Sequence, residues 1–199
     1  PKEEIPRLLS FFTRYMNTDM HDTLLMSFIY RTLLTNDYER FWTVWYALYD
    51  TIIRQRDNHF HDEMLNNYMF NPIQYSHWGD DWFRIEKKDM AFFHKIAVDL
   101  GHLPVVFRNI TRVSKTLAKN YFMESLNVFT VIIENNPGLA LTDYTQDTLT
   151  NLEAILQREL PNLSDEIKTN NELRRKLITV LDFMIAKGSS YASMVKSGL

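Results

Sequence analysis

Three observations predict an all-α fold. Apolar residues recur at helical spacing along nearly the whole chain, and no stretch alternates with period two for long enough to form a strand. The 199 residues include only five glycines and six prolines, too few turn-formers for an all-β architecture. A hydrophobic content of 45% and a charged content of 24% lie in the globular range and exclude disorder and low complexity.

The elements follow in order. Ile5, Leu8, Leu9, Phe12, Tyr15 and Met16 mark a first helix, interrupted by the capping residues at 17–19. Leu24, Leu25, Phe28, Ile29 and Leu33 mark a second. Asn36 with Glu39 resembles a capping box that opens a third helix through Phe41, Trp42, Trp45, Leu48, Tyr49, Ile52 and Ile53, whose apolar stripe is too wide for a surface helix. Polar residues 54–58 break the pattern, and it resumes through Phe60, Met64, Leu65 and Tyr68. Residues 72–81 form the conspicuous loop, with Tyr75, His77, Trp78 and Gly79. Asp80 or Asp81 caps a helix over 82–100, which Gly101 closes as a C-terminal glycine.

Pro104 suits the first turn of the next helix, which carries Val106, Ile110, Val113 and Leu117 on one face and passes through Lys119 and Asn120 into a further run over 121–133. One long helix and two stacked ones both fit. Asn135, Asn136, Pro137 and Gly138 predict a turn. Asp143 and Gln146 read as a second capping box leading into Leu149, Leu152, Ile155, Leu156 and Leu160, ended by Pro161. The last strong helix spans about 171–187, with Leu173, Leu177, Val180, Leu181 and Met184 inward and Gly188 terminating it.

No shift in composition marks a linker, so residues 1–199 read as a single all-helical domain of eight or nine helices. The short connections predict stacked antiparallel helical hairpins, an irregular helical-repeat solenoid, with a compact bundle as the alternative. Chain-reversing segments near 35, 71, 101, 136 and 161 are roughly 25–36 residues apart, which suits degenerate hairpins. The turn residues Asn136-Pro137-Gly138 and Leu160-Pro161, set between leucine-rich helices, give the last ~100 residues a resemblance to degenerate HEAT or armadillo-like repeats. That resemblance implies a binding surface rather than an active site.

The net charge of −3 provides no bulk attraction to nucleic acid or anionic lipid. Cysteine is absent, which removes disulfides, thiolate nucleophiles and thiolate metal sites and is compatible with a cytoplasmic location. No window approaches the ~18–20 apolar residues of a membrane span. The segment between Pro1 and Pro6 is charged and prolyl, unlike a signal peptide. With no initiator Met, the chain reads as a piece of a larger protein.

Arg56-Asp57-Asn58-His59-Phe60-His61 resembles the signature of the HEPN helical ribonucleases. The resemblance implies metal-independent RNA cleavage, with His61 as general acid or base and Arg56 holding the phosphate, Asp57 lying between them. In an unbroken helix positions five apart diverge by ~140°, so Arg56 and His61 converge only if the chain bends at 57–58. The structural alternative is a solvated polar junction between helices, and divergence of the two residues is expected.

No metal or cofactor is expected. His59 and His61 stand ~200° apart around a helix, and His59 with Glu63 makes one pair, not a site. Arg108, Arg112, Lys115 and Lys119 form a basic stripe opposite the apolar face, with no acidic residue between Asp99 and Glu124. It can contact phosphates, including those of nucleic acid, or an acidic partner. Of the aromatic residues, 13 fall between Tyr38 and Phe83; Trp42 and Trp45 suit a core, whereas loop residues Tyr75 and Trp78 suit a binding hot spot. The expectation is a non-enzymatic scaffold module binding another protein or another domain of the same chain, with a HEPN-type ribonuclease as the alternative.

Overall fold

The computed structural model describes Arg7, Thr43 and residues 87–141 and 144–199, with the side chains at 88, 89, 116, 117 and 119 excluded. The chain divides into two units, Pro1–Arg84 and Ile85–Leu199, and the elements below belong to the second. Arg56, Asp57, His61, Tyr75 and Trp78 lie outside the described residues. Among the described residues 85% are helical and none lies in a strand, an all-α fold.

Helix α1, Lys87–Leu100, buries Met90, Phe93, Ile96, Ala97 and Leu100, the stripe that a 3.6-residue period demands. Gly101 closes it for a reason other than the left-handed conformation expected of a terminal glycine, since among the described residues only Gly188 has that backbone. A Cβ at Gly101 would lie 2.2 Å from the Ala97 carbonyl oxygen and 3.1 Å from Ile132 Cγ1. The clash that excludes a side chain is with the carbonyl of its own helix four residues back, and Ile132 crowds the same position from a neighbouring helix.

Helix α2, Pro104–Asn135, begins with Pro104 in its first turn and breaks at Tyr121, where φ is −136° and ψ is 45°. The break is a reversal. Phe107 and Phe129 have ring centroids 6.2 Å apart, whereas 22 residues of straight helix would separate them by about 33 Å. Residues 104–120 and 122–135 are therefore two arms of a hairpin, the stacked pair among the two readings of this run. The turn at 136–138 is closed by Leu139 N–H donating to Asn136 O at 2.9 Å, and the Asn136 side-chain amide donates to Ile132 O at 2.8 Å.

Helix α3, Thr145–Glu159, has Tyr144 at its N-cap and no side-chain cap. The expected capping box is not made by Gln146. Its Nε2 instead donates forward to Thr150 Oγ1 at 3.4 Å, because starting at Thr145 puts Gln146 one position too early in the helix to reach back; Asp143 lies outside the described residues. Pro161 sits in a 3-10 turn, Leu160–Asn162. Two short helices escaped the periodicity reading: α4, Ser164–Thr169, and α6, Ser190–Ser197. Six and eight residues make about 1.7 and 2.2 turns, too few for an apolar stripe to recur.

Between them α5, Asn171–Ala186, buries Leu173, Leu177, Val180, Leu181 and Met184 as expected. The Asn170 side chain caps it by accepting from Leu173 N–H at 3.0 Å. Gly188, at φ 96°, turns the chain into α6, which Ser189 caps by accepting from Ala192 N–H at 3.1 Å.

Lateral contacts join these hairpins. Lys87 pairs with Glu124 at 3.2 Å near the starts of α1 and the second arm, and Gly101 meets Ile132 near their ends, so the two run in the same direction. Arg108 meets Asp147 near the starts of the first arm and α3, and Arg158 meets the Lys115 carbonyl farther along, so these also run in the same direction. The second arm is tied to α5 by Arg175 and Glu134. Ser189 Oγ donates to Glu153 Oε1 of α3 at 2.6 Å. Phe107 sits at the centre, fully buried, with its ring 5.4 Å from Phe183 of α5.

Candidate functional site

The first arm of α2 is buried around most of its circumference. Val105, Val106, Phe107, Asn109, Ile110, Thr111, Val113 and Ser114 are all inside, and the wet strip that remains carries Arg108, Arg112 and Lys115. The basic stripe therefore marks the seam between the first arm and α3.

Its members have different surroundings. Arg108 is 18% exposed, and its Nε and Nη2 both donate to Asp147 Oδ2, at 3.0 and 2.9 Å. Its guanidinium also lies 5.2 Å from the centroid of the Tyr144 ring, a stacked, charge-assisted clamp rather than a mobile surface cation. The acid is supplied by the next helix, which is why the local sequence shows none. Arg112 and Lys115 are exposed. The Lys119 side chain lies outside the described residues. At the far end of the seam Arg158 donates from Nη1 to the Lys115 carbonyl at 2.8 Å and from Nε to Glu159 Oε1 at 2.5 Å. The arrangement offers two fixed arginines locking the seam and two outward cations.

A second concavity lies around α6. A groove of roughly 580 Å³ is enclosed by the end of α3, the 160–169 connection, the start of α5 and α6. Sequence reasoning missed it because no single element carries it. The triple Tyr191, Met194 and Val195, at i, i+3 and i+4 after Gly188, is the one local signal that could have drawn attention to it. Burial, followed by the negative charge of Glu153, raises the Tyr191 phenol above its ordinary value of 10.0.

Among the described residues no group of three His, Asp or Glu side chains could hold a metal ion, and no helix is long and apolar enough to cross a membrane. Asp99, near the end of α1, pairs with Lys95 at 3.1 Å. No protein-family model matches the chain, and no curated protein matches it in sequence.

Proposed function

We propose that the chain is a helical-repeat scaffold module, a degenerate HEAT- or armadillo-like stack of antiparallel hairpins that binds another protein or another domain of its own chain. The observation that carries the reading is the recurrence of one sequence separation. Lateral side-chain contacts join residues 39, 43, 41 and 36 positions apart, at Arg108–Asp147, Lys115–Arg158, Glu134–Arg175 and Glu153–Ser189.

With the arms of α2 counted separately and the short α4 set aside, each contact joins a helix to the next but one. An up-and-down bundle favours contacts between successive helices and closes last on first. A stack of hairpins places each helix on its counterpart one repeat later, at about 40 residues in repeats of this size.

Such a stack works by holding a surface still. Arg108 and Arg158 fix the spacing of the first arm and α3, and Arg112 and Lys115 project from the fixed seam. Cations held on a rigid ridge accelerate and orient encounter with an acidic partner. A cytoplasmic location belongs to the same reading, consistent with the cysteine-free sequence.

The test is a pair of charge reversals, Arg112→Glu with Lys115→Glu, in a binding assay against partners captured by the intact chain. Loss of binding together with a flattened salt dependence is expected. The contrary result is metal-independent cleavage of single-stranded RNA in EDTA that Arg56→Ala and His61→Ala each abolish, which would replace the scaffold by a ribonuclease.

A further inference from the structure

We propose that α6 is a strap that unlatches as a unit, turning about Gly188 while the other described helices stay folded, with the hydrogen bond between Ser189 and Glu153 as its latch. The proposal is independent of the scaffold reading. Of the eight residues of α6, Ala192 alone is buried, and Tyr191 and Val195 are half-buried. Its neighbour α5 buries Leu173, Leu177, Val180, Leu181, Phe183 and Met184. Apolar burial is the main force holding a helix to its neighbours, and two turns of isolated helix are not stable in water. Opening of α6 therefore takes a fraction of the free energy that unfolds α5.

The polar ties of this segment differ in their surroundings. Lys196 pairs with Asp182 through side chains that are 41% and 51% exposed, and the exposed Arg174 donates from Nη2 to the Leu199 carbonyl at 2.9 Å. Solvent-facing contacts of this kind contribute little. The tie at Ser189 is shielded. That residue is 5% exposed, and its Oγ donates to Glu153 Oε1 of α3 at 2.6 Å while accepting from Ala192 N–H at 3.1 Å. One hydroxyl thus joins α3 to the first turn of α6, so release of Glu153 leaves the helix without an anchored cap. The hinge directly precedes the latch: Gly188 has φ 96° and open space around its β position, and a glycine backbone swings without a side chain to obstruct it. Tyr191, Met194 and Val195 form the α6 wall of the groove, so the groove is complete only while the strap is latched.

Amide hydrogen exchange of the purified chain, resolved by peptide in a mass spectrometer, tests the strap. The parent is compared with Glu153→Ala and Glu153→Gln, with circular dichroism as the folding check. In the parent, peptides covering 190–199 are expected to exchange about 100-fold faster than those covering 171–186, yet more slowly than an unstructured peptide. Glu153→Ala should speed exchange over 190–199 about tenfold and leave 171–186 unchanged. Glu153→Gln keeps an acceptor oxygen for Ser189 and should stay near the parent. Protection of 190–199 equal to that of α5 overturns the proposal, because α6 then opens only with the whole. So does the absence of any protection there, or a Glu153→Ala effect that is nil or spread evenly over all the helices. Binding through Arg112 and Lys115 is read in a different assay, so failure of the strap and failure of the scaffold reading are distinguishable.

Discussion

Two reversals within thirty residues of each other do the same job by different means. At 136–138 the chain turns on Asn136, Pro137 and Gly138, with a backbone hydrogen bond across the turn and the asparagine amide donating to the Ile132 carbonyl in the last helical turn. At Tyr121 it turns with no glycine or proline, through one residue displaced from helical angles. The first reversal is written in local chemistry. The second depends on what lies on either side: Val106, Phe107, Ile110 and Val113 on one arm and Phe122, Leu126, Phe129 and Ile133 on the other are buried, and folding the arms together buries both stripes at once. A straight helix of 32 residues would leave one of them in water, at ~1.5–3 kcal/mol for each large side chain exposed.

The largest effect should come from removing the side chain that joins the arms. Phe107→Ala, at a fully buried ring touching Phe129 and Phe183, is expected to destabilise by ~3–5 kcal/mol, measured by urea unfolding. A loss below about 1 kcal/mol would mean that the Tyr121 reversal is local after all.

The glycines sharpen the same contrast. Gly101→Ala puts a methyl 2.2 Å from a backbone oxygen and should cost ~1–3 kcal/mol. Gly138→Ala meets nothing within 4 Å and should change stability by less than about 0.5 kcal/mol, even though Gly138 sits in the more obvious turn signal. Equal effects in thermal melts would refute the distinction between a glycine whose β position is obstructed and one whose β position is open.

Among the polar contacts, Arg108→Ala should cost about 1–2 kcal/mol, through the lost clamp on Asp147 and Tyr144. Asn170→Ala should cost about 1 kcal/mol, through the lost cap of α5. An Arg108→Ala, Asp147→Ala double-mutant cycle reads the seam directly, and a coupling near zero would make the clamp incidental.

The smallest effect is a pH dependence. The Tyr191 phenol titrates higher in the folded state than its ordinary 10.0, so its contribution is fully present at neutral pH. It is lost as pH rises past 10 and through the folded value, because the unfolded chain gives up the proton first. Stability should therefore fall more steeply at alkaline pH in the parent than in Tyr191→Phe, as read from denaturant midpoints. A steeper fall in the variant would reverse the sign.

Legibility followed the range of the interaction. The all-α class, the turn at 136–138, Pro104 in a first turn and the five inward residues of α5 were all readable, because each depends on periodicity or on the backbone preference of a residue in place. The capping box at α3 was misread because a one-residue shift in the helix start moves Gln146 out of reach. Of the stripe Arg108, Arg112, Lys115 and Lys119, the sequence located the helix face and could not see Asp147 coming from 39 residues away. The groove was illegible because four elements share it and two of them are too short for a periodic signal.

What the sequence determined by itself is therefore local: which segments are helices, which faces are apolar, and where glycine, proline and asparagine stop them. Those outcomes depend on steric and hydrogen-bond preferences within a few residues. Only the tertiary structure decided that α2 doubles back at Tyr121, that Ile132 packs beside Gly101, and that Arg108 is locked while Arg112 and Lys115 face outward. Each depends on a partner roughly 20 to 40 residues away, brought near by the joint burial of apolar stripes that no single helix can bury alone.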